Sequence, residues 1–257
     1  MFSPQKVLPL LTNPDINLTN HHNLTSFFQF IADADTQISL SVNASHTPFW
    51  DVFMLVFSYK SVWLPFYMSL VCYLLRRCSW AFSAVCLVAV ALVVASCDQL
   101  SSTLLRPVIA RLRPCDPENP VSAMVHLVDG YCPMSYSCPS AHAANTWGLA
   151  FFLSFLFRRR VLTMALTSWA FVTCWSRLYL GVHFLGDLLA GMLVGLLVSL
   201  LFYHILRQLG RAYPHSIFKK DERTSFSVVS SRWEWGPVAV LLITVAWMLG
   251  YSVCKVI

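Results

Sequence analysis

Apolar residues in this chain gather into long runs separated by short polar or basic clusters. A hydrocarbon core takes about 20 residues of helix, somewhat fewer when flanking side chains snorkel to the interface. Six runs qualify, at roughly 58–75, 80–105, 141–157, 161–176, 184–206 and 236–257. The run at 161–176 is short and carries Thr and Ser, and it is assigned as a span because its neighbours cross. The expected fold class is therefore all-α, a polytopic membrane bundle of six transmembrane helices.

Ahead of the first run, Leu24 to Ser41 sets Phe27, Phe28, Phe30, Ile31 and Ile38 among Asp33, Asp35 and Gln37. That pattern suits an amphipathic helix lying on the membrane, or equally one packed against the bundle. Residues 1–48 are read as an interfacial, outward-facing segment and 49–257 as the membrane domain. No positively charged start followed by a long apolar core is present in 1–48, so the first span is expected to act as the insertion signal. The Asn-x-Ser/Thr triplets at Asn17, Asn23 and Asn43 are read as chance.

Composition strengthens the membrane assignment: 57% of the 257 residues are apolar and 12% charged, about half the charged share of a soluble domain. The net charge of +6 does not indicate a nucleic-acid partner, because the cations sit in short clusters beside apolar runs. Arg76, Arg77, Arg158 to Arg160, Arg207, Arg211, Lys219, Lys220, Arg223 and Arg232 make eleven of the eighteen Lys and Arg, all on one side of the predicted topology. The positive-inside rule assigns that side to the cytoplasm. The loops at 106–140 and 177–183 and both termini then face outward. Of nine cysteines, Cys72, Cys86, Cys97, Cys174 and Cys254 fall within spans and read as small apolar fillers. Cys115, Cys132 and Cys138 share one outward loop, where an oxidising compartment allows one disulfide. The pair Cys115–Cys132 is preferred, with free thiols the alternative.

Three clusters carry the chemistry, and topology alone brings them to one membrane face. They are Arg106 to Pro114, Ser137 to His142, and Ser176 to Asp187. His183 and Asp187 are four apart, so a helix beginning near Val182 would let the carboxylate hold the imidazole. Arg177 lies six positions before His183, roughly 240° away on a continuous helix. Both meet one ligand only if the chain bends between them, which Gly181 permits. Asp98, deep in the second run, needs a partner; it could hold a nearby arginine or make a helix–helix hydrogen bond. Arg111 is a candidate phosphate or headgroup contact. The remaining histidines, His21, His22, His46, His126, His204 and His215, are read as structural.

These clusters resemble the type 2 phosphatidic acid phosphatase family, which shares its site with vanadium haloperoxidases. The family pattern is Lys, six residues, Arg-Pro; then Pro-Ser-Gly-His; then Ser-Arg, five residues, His, three residues, Asp. The third motif matches at Ser176, Arg177, His183 and Asp187, and the second at Pro139, Ser140 and His142 with Ala141 in place of Gly. The first matches at Arg113 and Pro114, with Arg106 where Lys is usual. The motifs span about 82 residues, from Arg106 to Asp187, and the resemblance adds a haloperoxidase-like helical fold to the expected bundle.

The resemblance implies that His183 is a nucleophile carrying a phosphoryl group, oriented by Asp187. It makes His142 the proton donor to the leaving oxygen and then the base for water. Arg106, Arg113 and Arg177 would hold phosphate oxygens, and Ser140 with the amides around Ala141 would add hydrogen bonds. It implies no metal and no other cofactor. The partner would be a lipid phosphate in the bilayer, with polyprenyl pyrophosphate and lipid A phosphates ranked ahead of phosphatidylglycerol phosphate and phosphatidic acid. The expected location is a bacterial inner membrane with the site facing the periplasm. A lipid phosphotransferase using the same residues and a non-catalytic lipid-binding protein of the same fold are the rivals.

Overall fold

An unpaired backbone N–H or C=O in hydrocarbon costs several kcal/mol, so apolar runs of this length become helices that satisfy the backbone within one segment. The structure is a computed structural model that describes residues 18–212 and 235–257. Asn17, His215 and the cations Lys219, Lys220, Arg223 and Arg232 lie outside the described residues, as do the side chains of His21, His22 and Asn23. Among the described residues all regular structure is helical: α1 (Leu18–Ala44), α2 (Pro48–Ser58), α3 (Leu64–Arg77), α4 (Trp80–Gln99), α5 (Arg106–Ile109), α6 (Ala141–Phe157), α7 (Arg160–Tyr179), α8 (Leu185–Ala212) and α9 (Trp235–Val256).

Local chemistry sets several of these boundaries. Thr47 Oγ1 accepts from Trp50 N at 3.3 Å and Pro48 opens α2; Ser79 Oγ accepts from Phe82 N at 3.3 Å to open α4. From α4 the chain passes through π-helical turns at Leu100–Leu105 into α5, which stops where Ala110 turns left-handed. Trp80–Ile109, Leu185–Arg211 and Trp235–Val256 are each long and apolar enough to cross a membrane. The pair Pro48–Ser58 and Lys60–Arg76 qualifies together, bent by 69°. α6, with 17 residues, and α7, with its Thr and Ser side chains, complete an arrangement compatible with six spans.

The expected first span thus differs in shape. The apolar α2 precedes it, and the corner after Tyr59 is filled by Trp63, whose Nε1 donates to Phe57 O at 2.9 Å and whose ring meets Trp169 at 5.9 Å. Aromatic packing on both sides of the corner makes the break a better fit than a straight helix would be.

At the centre α6 packs against α8 most extensively, then α7 and α4. Small residues let the backbones approach closely: a Cβ on Gly195 would stand 2.7 Å from both Ala144 O and Gly148 N. This contact aligns the N-terminal starts of the two helices, and Ser140 N donates to Asp187 O at 2.9 Å. At the other end Arg158 Nη2 donates to Tyr203 Oη at 3.0 Å, joining the α6–α7 turn to the late part of α8.

Helix α1 is longer than the segment expected, and its polar stripe, not its apolar one, meets the bundle. Asn43 Nδ2 donates to Tyr179 O at 2.7 Å and to His126 O at 2.9 Å, while Phe27, Phe28, Phe30, Ile31 and Ile38 stay exposed. The outward apolar face leaves a surface suited to lipid. Cys115 and Cys132 form the preferred disulfide. Cys86, Cys97 and Cys174 are buried as expected, but Cys72 and Cys254 are exposed on the bundle surface and do not fill its interior.

Candidate active site

Helix α7 ends at Tyr179, Gly181 takes φ +68° and α8 starts at Leu185. The bend that Arg177 and His183 need is therefore made at the expected glycine. The helix starts three residues later than expected, so His183 lies in the connecting turn and does not share a helical face with Asp187. Asp187 instead occupies the third helical position, where its Oδ2 reaches back to accept from Phe184 N at 2.8 Å, half of a capping box. The same oxygen stands 3.4 Å from His183 Nδ1, within electrostatic reach but poorly aligned for a hydrogen bond.

The other ring nitrogen faces Arg113, with Nη1 3.1 Å from His183 Nε2. A guanidinium only donates, so Nε2 presents its lone pair and the ring proton sits on Nδ1, toward Asp187. Arg113 is itself locked: Nε donates to Ser135 O at 2.6 Å, Nη1 to Val182 O at 2.7 Å and Nη2 to Tyr136 O at 3.2 Å. His183 is 1% exposed, and burial pushes its pKa down to about 3 against the pull of Asp187. Burial, with Arg106 and Arg177 nearby, lowers Arg113 to about 10, which leaves it cationic at neutral pH.

Arg177, on the last turn of α7, is buried, lies 5.9 Å from the Tyr131 ring and has no protein partner for Nε. Arg106 opens α5, and its Nε donates to Pro139 O at 3.1 Å. Among the described residues Arg106, Arg113 and Arg177 have no carboxylate within ion-pair distance. Three positive charges are held by carbonyls and apolar surroundings, an arrangement that favours an anion. Ser140 caps α6, its Oγ accepting from Ala143 N at 3.4 Å, and Ala141 takes the first helical position, where its methyl causes no backbone strain. His142 follows, within the electrostatic field of Arg177, His183, Lys60 and Arg106.

Two sequence candidates take other partners. Arg111 does not point to an anion site: Nη1 donates to Asp187 Oδ1 at 2.9 Å and Nη2 to Asp35 Oδ2 at 2.6 Å, with the guanidinium 4.0 Å above the Phe184 ring. Asp98 Oδ1 accepts from Asn145 Nδ2 at 3.2 Å, the helix–helix bond of the two roles considered. Of the histidines read as structural, His126 bonds Asp51 at 3.0 Å and stacks on His46, and His204 bonds Gln208.

The motifs give no sign of Asp35, Ser135, Tyr131 or Lys60, because each reaches the site across the fold. Lys60 and His142 are among the residues that line an apolar cavity of about 340 Å³, with Leu74, Leu87, Leu153 and Phe157 from α3, α4 and α6. A space of this lining suits an apolar group.

Comparison with known proteins identifies the family. The PAP2 superfamily model matches residues 80–211. A lipid A 4′-phosphatase of Bacteroides thetaiotaomicron is 44% identical over 181 residues, covering 70% of this chain and 80% of that protein. A lipid A 4′-phosphatase of Porphyromonas gingivalis is 30% identical over 201 residues, covering 75% of this chain and 85% of its own. The crystal structure of a PAP2-type phosphatidylglycerolphosphate phosphatase from Bacillus subtilis superposes with TM-score 0.53 at 24% identity, over 70% of this chain and 88% of that one. The chain belongs to the PAP2 superfamily and is a multi-pass membrane lipid phosphatase.

Proposed function

We propose that the chain removes the 4′-phosphate of lipid A through a phosphohistidine on His183, at the periplasmic face of a bacterial inner membrane. The two relatives named lipid A 4′-phosphatase support the substrate. The basic residues Arg76, Arg158, Arg159, Arg160 and Arg207, at the end of the bundle away from His183, support the orientation. In this reading residues 49–257 are the phosphatase domain and 1–48 an outward segment.

His183 Nε2 attacks phosphorus, and the bond to the sugar oxygen breaks. His142 gives that oxygen a proton, so the alcohol leaves neutral. Arg106, Arg113 and Arg177 hold the equatorial oxygens, whose negative charge is spread in the transition state. Asp187 stabilises the positive charge that the imidazole acquires, and Ser140 contributes through the start of α6. His142 next takes a proton from water, the hydroxide attacks phosphorus, and inorganic phosphate departs as the His183 ring is restored.

The single observation that carries the proposal is the lone-pair nitrogen of a buried, neutral His183 set 3.1 Å from Arg113 with Asp187 behind it. The test is purified protein presented with lipid A, undecaprenyl pyrophosphate, phosphatidylglycerol phosphate and phosphatidic acid, read by inorganic phosphate and by mass of the product. Release from lipid A at the 4′ position, abolished in His183→Ala, is the expected result. Equal release by His183→Ala overturns the nucleophile, and transfer to a second lipid without free phosphate identifies a phosphotransferase.

A further inference from the structure

Beyond the three motifs, two side chains of the N-terminal helix are wired into the same site. Asp35 Oδ1 accepts from Gly186 N at 2.7 Å and its Oδ2 accepts from Arg111 Nη2 at 2.6 Å. One helical turn later Ser39 Oγ accepts from Leu185 N at 2.9 Å. The first two amides of α8, which no helix can satisfy internally, are thus capped from α1, and the preceding amide, Phe184 N, by Asp187 itself. The segment that sets the position of Asp187 is tied down by a helix more than a hundred residues away in sequence.

The charges add a second point. Arg111 bridges Asp35 and Asp187, and the Asp35 side chain is only 12% exposed, so these groups interact in a poorly solvated setting. With Arg111 alone, Asp187 would face a full neutralising charge on Oδ1. With Asp35 on the other fork the three groups sum to one negative charge, and Asp187 keeps the capacity to stabilise a cationic imidazole.

We propose that Asp35 is a positioning residue for phosphoryl transfer: through Arg111 it preserves the negative charge of Asp187, and through the Gly186 amide it fixes where that carboxylate sits. This rests on the assignment of His183 as nucleophile. The test is steady-state hydrolysis of lipid A by full-length Asp35→Asn, normalised to monodisperse protein. Asn retains an oxygen for Gly186 N, removes the charge, and turns an amide donor toward Arg111 Nη2 where an acceptor stood. The expected result is a kcat lowered by about tenfold with KM within about twofold, the signature of an interaction used in the transition state. In an Arg111→Gln background the same change is expected to be silent, because its route is gone. Asp35→Glu, which keeps the charge, is expected to recover most of kcat.

An unchanged kcat in Asp35→Asn overturns the inference, as do losses that multiply independently with Arg111→Gln. Equal losses in Asp35→Glu and Asp35→Asn, with raised KM, also overturn it, since they reduce Asp35 to a fold contact. His183→Ala is run beside these variants. If it stays active, the nucleophile assignment itself fails; if it is dead while Asp35→Asn is fully active, only the role of Asp35 fails.

Discussion

Arg113 Nη1 stands 3.1 Å from His183 Nε2 while its other nitrogens are tied to Ser135 O and Tyr136 O. On the proposed mechanism the cation guards the lone pair that would attack phosphorus, and an arriving phosphate oxygen would exchange places with the imidazole as its partner. A planar fork can do this without leaving its carbonyl anchors.

Lysine in that place keeps the charge but not the fork. Arg113→Lys is expected to lower kcat/KM by about a hundredfold, the scale set by loss of one transition-state donor. Phosphate release measured across lipid concentrations checks this, and a loss below about threefold would show that charge alone suffices.

Proton donation by His142 matters most when the leaving oxygen is basic. In His142→Ala the lipid reaction is expected to slow by about a hundredfold or more, whereas p-nitrophenyl phosphate, whose phenolate leaves without help, still phosphorylates His183. Labelled phosphate trapped on protein at alkaline pH, where phosphohistidine survives, is expected in His142→Ala and absent in the His142→Ala, His183→Ala double variant.

Burial sets the pH response of His183. Its folded pKa, about 3, lies below the ordinary 6.5, so between those values the unfolded chain binds the proton and the folded one does not. Stability is then fully present above pH 6.5 and is lost as pH falls toward 3, by at most about 1.4 kcal/mol per pH unit. Thermal unfolding in detergent at pH 7, 6 and 5 is expected to show the protein losing stability faster than His183→Gln. Parallel curves would place the imidazole in a less buried, chargeable setting.

The approach of α6 to α8 leaves no room at Gly195, where a side chain meets the backbone of Ala144 and Gly148. Gly195→Val is expected to destabilise the bundle by about 1–3 kcal/mol, the usual range for overpacking. Because α6 carries Ser140 and His142, activity is expected to fall with it. A melting curve alongside phosphate release checks both, and unchanged melting would mean that the helices separate without cost.

The sequence by itself determined the helical membrane class and the three motifs. Runs such as 80–105 and 184–206 admit one response to hydrocarbon, and the resemblance of the motifs to the family pattern already singles out Arg113, Ser140, His142, Arg177, His183 and Asp187 as candidates. Gly181 is the residue that permits a turn, and Cys115–Cys132 is the preferred pair among three loop cysteines, with free thiols the alternative; the structure makes both. Tertiary structure alone decided the rest: the 69° corner between α2 and α3, the start of α8 at Leu185, and the turning of Arg111 away from the anion site toward Asp35 and Asp187. The physical reason is range. Helix formation and local motifs depend on neighbours within a few residues, whereas the partners of Asp35, which are Arg111 and the Gly186 amide, are set by packing between segments 76 and 151 residues apart, which no local pattern encodes.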